Sequence, residues 1–180
     1  MSKSISEENN IVISKMEHHS NLVPWQQLCL ETGAELRYLE NDSNGIIDLV
    51  DAREIIDKNT SILSITHMSN VLGIINPINE LRDISIKFGT KLIIDGAQSV
   101  PHFSVDVREL DCDFLCFSAH KMLGPTGIGI LYGKKELLEK MNPNYFGGDM
   151  ISEVTYESAT WNDLPYKFEA GTPNIADAIA

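Results

Sequence analysis

A lysine that attacks carbonyls must shed its charge, and one stretch of this sequence has parts suited to that: Ser118-Ala119-His120-Lys121-Met122-Leu123-Gly124-Pro125-Thr126-Gly127. It lies between two short apolar runs, Phe114 to Phe117 and Ile128 to Tyr132, which read as buried strands. Gly and Pro make the connection a tight turn. Lys121 therefore sits just past a strand end, beside a hydroxyl and an imidazole. Lost hydration and nearby cationic or polar groups lower a lysine's pKa, and the neutral amine forms a Schiff base with a carbonyl. Stripped of its surroundings, Lys121 equally reads as an exposed loop lysine.

Pyridoxal phosphate needs such an amine, together with an acid for its ring nitrogen, donors for its phosphate and a surface to stack on. Asp95 ends the apolar run Leu92-Ile93-Ile94-Asp95 and is followed by Gly96-Ala97-Gln98. A carboxylate there either caps the turn at a strand exit or stays ionised to keep a pyridinium protonated. Gln98, three residues on, is in reach of a phenolic oxygen of the same ring. His18 and His19, by themselves, read as surface or structural histidines. His67 and His120 also stand at strand ends, which raises a metal reading. No histidine pair has helical i, i+4 spacing and there is no Cys-x-x-Cys, so that reading has little behind it. Gly124 to Gly129 lacks the Walker lysine pattern and leads into a strand, which argues against a nucleotide P-loop.

At 180 residues, 43% hydrophobic and 22% charged, the chain has the size and composition of one globular domain with a real core. A formal net charge of −12 argues against nucleic acid or an anionic membrane as partner. No apolar run approaches a membrane span and Met1 to Asn10 is polar, so a cytoplasmic protein is expected. Cys29, Cys112 and Cys116 are odd in number and lie in apolar runs, as reduced thiols do. Cys112 and Cys116 are expected on one side of a strand, in the core.

Positioning falls to alternating strands and helices. Strands are expected at 11–14, 35–39, 61–67, 91–95, 112–117 and 127–133. Helices are expected from Ser20 or Asn21 to Gly33, over 49–57, from Pro77 to Phe88 with Gly89 closing it, and over 134–141. Beyond residue 142 the pattern loosens. The alternation implies an α/β fold, a mainly parallel sheet covered by helices on both faces. Ligands of such sheets collect at the carboxyl ends of the strands. His18, Asn70, Asp95 and Lys121 all lie just past one.

Six segments, in order, carry a resemblance. They are Met16 to Gln26, Thr66 to Gly73, Asp95 to Gln98, Asp111 to Phe114, Ser118 to Gly127 and Phe168 to Asn174. Together they resemble the class V aminotransferase family of fold-type I pyridoxal phosphate enzymes. Within it they are most similar to the SufS-type cysteine desulfurases, with selenocysteine lyases beside them. The resemblance implies that Lys121 carries the cofactor and shuttles protons. It implies that Asp95 pairs with the pyridine nitrogen, Gln98 contacts the ring oxygen, and His18 stacks on the ring and serves as acid or base. Ser118 and His120 are implied to hold the phosphate, and Asn70 to lie near the ring oxygen and substrate carboxylate. Thr172 is implied to reach the phosphate of a partner subunit in a homodimer. The implied reaction takes L-cysteine to L-alanine and leaves sulfur as an enzyme persulfide, for a sulfur-acceptor protein of iron–sulfur cluster assembly.

The departures define a second expectation. The family's first strand and its phosphate-binding threonine precede the region that begins near Ile11. None of Cys29, Cys112 and Cys116 falls at the nucleophile's motif, and none of Arg37, Arg53, Arg82 and Arg108 at the motif that clamps the substrate carboxylate. Residues 1–180 are therefore expected to be the central part of the large domain, without the N-terminal segment or the C-terminal small domain, and inactive alone. A selenocysteine lyase and a non-catalytic remnant of the fold are the other readings. A plain nucleotide-binding α/β domain is disfavoured by the lack of a glycine fingerprint.

Overall fold

Residues 5–180 are described by a computed structural model. In chain order the elements are β1 (Asn10–Ser14), α1 (His19–Thr32), β2 (Glu35–Leu39), α2 (Leu49–Ile55), β3 (Thr60–Thr66), α3 (Ile78–Ser85) and β4 (Lys91–Asp95). Then come α4 (Ser99–His102), α5 (Val107–Leu110), β5 (Phe114–Ser118), β6 (Gly129–Gly133), α6 (Lys135–Lys140), β7 (Ile151–Val154), β8 (Ala159–Trp161) and α7 (Ile175–Ile179). Six strands form one sheet in the order β2-β1-β3-β4-β5-β6. The first five are parallel, and β6 runs antiparallel to β5. β7 and β8 pair separately. The α/β class and the mainly parallel sheet read from the sequence are both present.

The parallel strands are runs of Ile, Val and Leu, as suits strands covered on both faces. Alternation sorts their side chains. Val12, Leu63, Ile65, Leu92, Ile94 and Leu115 pack with Ala52 of α2, Leu81 and Ile84 of α3, and Leu110 of α5. Ile11, Ile13, Ile62 and Ile93 turn to the opposite face, where α1 covers them with Leu22, Trp25, Leu28 and Cys29. Val12, Leu63, Ile65, Leu92 and Ile94 are wholly buried, and each such side chain contributes about 1.5–3 kcal/mol by leaving water.

Several boundaries depart from the sequence reading for local reasons. α3 ends at Ser85, and Ile86–Phe88 continue as a 3-10 turn before Gly89. Ser85 is buried and its hydroxyl donates back to Arg82 O at 3.1 Å, a bond that competes with the helical ladder. α4 and α5 were not legible, because single turns of four residues show no 3.6-residue period. The β7–β8 pair was missed because its strands are largely exposed and carry no alternation.

The expectation for the cysteines is half corrected. Cys112 is wholly buried but lies ahead of β5, which starts at Phe114. Cys116 is exposed. It pairs with Asp95 of β4 and Leu131 of β6 on the α1 side of the sheet, where the described residues leave β5 and β6 uncovered. Asp111 and Asp113, part of a family-like segment, serve the far rim. There Asp113 accepts from Leu92 N at 2.8 Å, and Asp111 pairs with Arg82 at 2.8 Å and Lys134 at 2.6 Å.

Candidate active site

Parallel strands bring their carboxyl ends to one rim, and the connections leaving it carry the candidate residues. His18 follows β1, Asn70 follows β3, Asp95 ends β4, and Gln98 opens α4. Ser118 ends β5, while His120 and Lys121 lie in the 3-10 turn Ala119–Met122 that comes next. Thr172 comes from elsewhere, an exposed residue ahead of α7. Its segment passes the Lys121 loop, since a Cβ on Gly127 would lie 3.9 Å from Asn174 Nδ2.

Asp95 is buried between Thr66 of β3 and Cys116 of β5, its register partners. Its Oδ1 accepts from Ala97 N at 2.9 Å, so it caps the turn as the simpler reading held. That bond leaves the carboxylate a second oxygen. Gly96 N donates to Cys116 O at 2.8 Å, pinning the strand exit. A Cβ on Gly96 would come within 3.3 Å of that same carbonyl oxygen, so a larger residue would push the two strand ends apart. Gln98 is half-buried, and Asn70 is exposed in its loop.

Lys121 is exposed. The loss of hydration expected from its neighbours in sequence is therefore not supplied by the described residues. The turn itself is tight. Gly124 N donates to Ala119 O at 2.9 Å, and a Cβ on Gly124 would lie 3.0 Å from that oxygen. Leu123, directly before it, has φ 67 and is fully exposed. Left-handed backbone costs a leucine about 1–2 kcal/mol, and such strain gathers at functional loops. Ser118 is half-buried and His120 exposed, one on either side of Ala119.

His18 is the N-cap of α1. Its Nδ1 accepts from Ser20 N at 3.2 Å. A backbone N–H only donates, which assigns the proton of the neutral ring to Nε2. The residue before it, Glu17, was not singled out in the sequence. Glu17 is buried: Oε1 accepts from Ser14 Oγ at 2.6 Å and Thr66 N at 2.9 Å, and Oε2 from Asn21 Nδ2 at 2.7 Å. Asn21 in turn accepts from Trp25 Nε1 at 3.0 Å and Ser64 Oγ at 2.6 Å. Burial raises the Glu17 carboxyl to about 7, against the pull of its hydrogen bonds and with help from the Asp95 charge. A glutamate at a strand exit with a polar residue four positions on was the available signal.

The remaining polar candidates do not assemble a metal site. His67 is buried edge-on against Phe103, ring centroids 5.2 Å apart, and burial pushes its imidazole below the usual range. Among the described residues no cluster of three or more His, Cys, Asp or Glu could hold a metal ion. The thiols are shifted upward from their ordinary range. Burial raises Cys29, and it pushes Cys112 up to about 11. Cys116 has its sulfur 3.7 Å from Ile94 O, and desolvation followed by the Asp95 charge pushes it to about 11.

A parallel sheet carries a lysine turn, a rim aspartate and a capping histidine at one rim, and comparison with known proteins gives the family of the chain. The aminotransferase class-V family model matches residues 1–180. The chain is similar to the cysteine desulfurase of Haloferax volcanii, 52% identical over 171 residues, covering 95% of this chain and 40% of that protein. It is similar to a cysteine desulfurase of Escherichia coli, 51% identical over 172 residues, covering 95% of this chain and 42% of that one. Among solved structures, the cysteine desulfurase CsdA of Escherichia coli matches with a TM-score of 0.96 and 41% identity, over 99% of this chain and 45% of that one. The apo cysteine desulfurase of Thermococcus onnurineus matches with a TM-score of 0.94 and 40% identity, over 99% and 44%. The chain belongs to the aminotransferase class-V family. It spans less than half the length of these relatives.

Proposed function

We propose that the protein carrying this chain is a pyridoxal phosphate-dependent cysteine desulfurase, acting on L-cysteine as a homodimer and passing sulfur to an acceptor protein of iron–sulfur cluster assembly. The observation that carries this is the convergence of four strand exits on one rim, each bringing a group the cofactor needs. The fit is chemical. Asp95 is a buried carboxylate with no lysine or arginine paired to it among the described residues. Such a group calls for a cation, and a protonated pyridine is one. Lys121 offers a primary amine one strand over, and Ser118 and His120 offer donors suited to a phosphate.

When bound, the cofactor supplies an electron sink for the bond broken at the substrate. The chain supplies the rest. Asp95 would hold negative charge at the ring nitrogen. His18, its Nδ1 already occupied by the Ser20 N–H, would stack on the ring, and Gln98 and Asn70 would orient the ring oxygen and substrate. Lys121 Nζ takes a proton from the substrate Cα and returns one. The C–S bond of L-cysteine breaks, an acceptor thiol takes the sulfur, and a proton replaces it on carbon. One cysteine and one thiol give one alanine and one persulfide, with no outside oxidant. Cys29 and Cys112 are buried, which suits neither of them to that acceptor role.

Exposed Thr172, with exposed Tyr145, Phe146 and Ile175 in the same part of the chain, supports a second copy as partner. The acidic surface argues against nucleic acid, and no described helix is long and apolar enough to cross a membrane. Free cysteines fit a cytoplasmic setting. The test is alanine and persulfide formation from L-cysteine by the protein carrying this chain. Loss of the lysine is expected to slow turnover by about 10²–10⁴-fold or more. Unchanged alanine formation by Lys121→Ala would remove the basis of the assignment.

A further inference from the structure

Among the described residues, two buried side-chain atoms have no hydrogen-bond partner: His67 Nδ1 and Asn76 Oδ1. Their residues are 7% and 3% exposed. Polar atoms sealed this far from solvent are normally paired, within the chain or through ordered water.

The backbone sets the two residues opposite each other. Residues 67–76 form a small hairpin at the carboxyl rim, centred on the antiparallel bridge between Met68 and Ile75. Ser69 N donates to Ile74 O at 2.9 Å on one side of that bridge, and Asn76 N to His67 O at 2.9 Å on the other. His67 and Asn76 are therefore the opposed pair at the hairpin's base. Opposed residues of an antiparallel pair share a face, with Cα atoms about 5.5 Å apart. Their surroundings are apolar: Phe103 stands edge-on to the His67 ring, and Met16 Sδ lies 3.1 Å from Asn76 Nδ2.

Neither side chain satisfies itself by turning. Asn76 Nδ2 donates to Thr66 O at 2.8 Å, and a carbonyl only accepts, so a flipped amide would set oxygen against oxygen. Oδ1 is thus fixed as an acceptor. Burial favours the neutral form of the His67 ring, whose Nδ1 offers either a lone pair or one N–H. One water at ordinary hydrogen-bond lengths spans up to about 5.6 Å between two such atoms. It serves both tautomers, donating to Oδ1 and either donating to Nδ1 or accepting from its N–H.

Resting in its second half on the pyridoxal phosphate reading of the rim, we propose that His67 and Asn76 hold one buried water between them, and that this bridged pair clamps the loop bearing Asn70 to the strand bearing Asp95. His67 N donates to Asp95 O at 2.9 Å, Asn76 holds Thr66 O, and the chain between His67 and Asn76 carries Asn70. Beyond its base the hairpin is tied largely to itself. Ser69 Oγ accepts from Val71 N and Leu72 N, and Gly73 N donates to Ser69 O. Val71 and Leu72 are exposed. The base therefore decides where Asn70 stands. His67 and Asn76 are positioning residues, acting on the ring oxygen and substrate through Asn70.

The bridge is tested by a crystal structure of the protein carrying this chain, free of cofactor, at a resolution that shows ordered water. One water within about 3.2 Å of both His67 Nδ1 and Asn76 Oδ1 is expected. A direct bond between the two atoms, a gap filled by protein, or a dry gap overturns the proposal. Positioning is tested with pyridoxal phosphate bound, by pH titration of its visible absorbance, whose midpoint a hydrogen bond to the ring oxygen shifts. His67→Phe and Asn76→Leu are each expected to move the midpoint in the direction of Asn70→Ala, and to move it no further in the Asn70→Ala background. Lost stability alone does not move it. An unmoved midpoint, or a shift that adds in full to that of Asn70→Ala, overturns the proposal and leaves the cofactor reading intact. Should the variants not fold, the cofactor-bound structure of the unmodified protein decides. Asn70 within hydrogen-bond reach of the ring oxygen, with the water retained, is expected; Asn70 out of reach or the water lost overturns the proposal. Failure of the unmodified protein to bind pyridoxal phosphate overturns the cofactor reading and the positioning role with it, while the cofactor-free structure still decides the water.

Discussion

At Glu17 the cost of burial falls on the charged form, and that fixes the sign of a pH effect. Its carboxyl lies at about 7 in the folded protein against an ordinary 4.5. Between those values the folded chain binds more protons than the unfolded one. The stability this contributes is complete below the ordinary value and is lost as pH rises through about 7, on the order of 3 kcal/mol in all. Denaturant unfolding at a series of pH values is expected to show that decline in the unmodified protein and to show less of it in Glu17→Gln. Matching curves would mean that Glu17 is ionised throughout. The positions of Lys121 and Asp95 at strand exits were legible in the sequence, because Asp95 ends an apolar run and Lys121 follows another by a short turn. Glu17 was not, because its burial depends on Ser64 and Thr66, residues brought from a distant strand to Asn21 and to Glu17 itself. Nor was the exposure of Lys121, since what covers a turn is not written in the turn.

Elements differ in how plainly the sequence shows them. β1, β3 and β4 are covered on both faces, so their Ile, Val and Leu runs stand out. α1 was legible by its glycine stop, and α3 by the proline ahead of it. The single turns α4 and α5 and the exposed β7–β8 pair have neither period nor burial to betray them. β6 is the instructive element. It forms an edge of the sheet among the described residues, and its Ile130 and Leu131 are 38% and 59% exposed. An open, apolar edge strand invites another chain to pair with it. The 180-residue chain by itself is expected to self-associate at micromolar concentration by light scattering, and Leu131→Lys to reduce that. A monodisperse monomer, unaffected by the substitution, would show the edge to be inert.

The whole molecule sorts its polar groups to opposite rims. Asp111, Asp113, Arg82 and Lys134 pair with one another at the amino end of β5, where cations and carboxylates are matched. At the carboxyl end, among the described residues, Asp95 and Glu17 have no cation beside them and Lys121 has no ion-pair partner in a turn where Leu123 is strained. That imbalance is the physical case for a cationic, aldehyde-bearing cofactor at this rim, and family membership agrees with it. Pairing of the far rim was hidden in the sequence, which offered Asp111 and Asp113 as part of a family-like segment without saying which end of the sheet they serve. The most direct test is chemical trapping. The protein carrying this chain is mixed with pyridoxal phosphate, reduced with borohydride, digested and sequenced by mass spectrometry. The expected result is a single pyridoxyl-phosphate label on Lys121, lost in Lys121→Ala and weakened in Asp95→Asn. Label spread over surface lysines, or the same yield in Lys121→Ala, would contradict the assignment of the rim as the cofactor site.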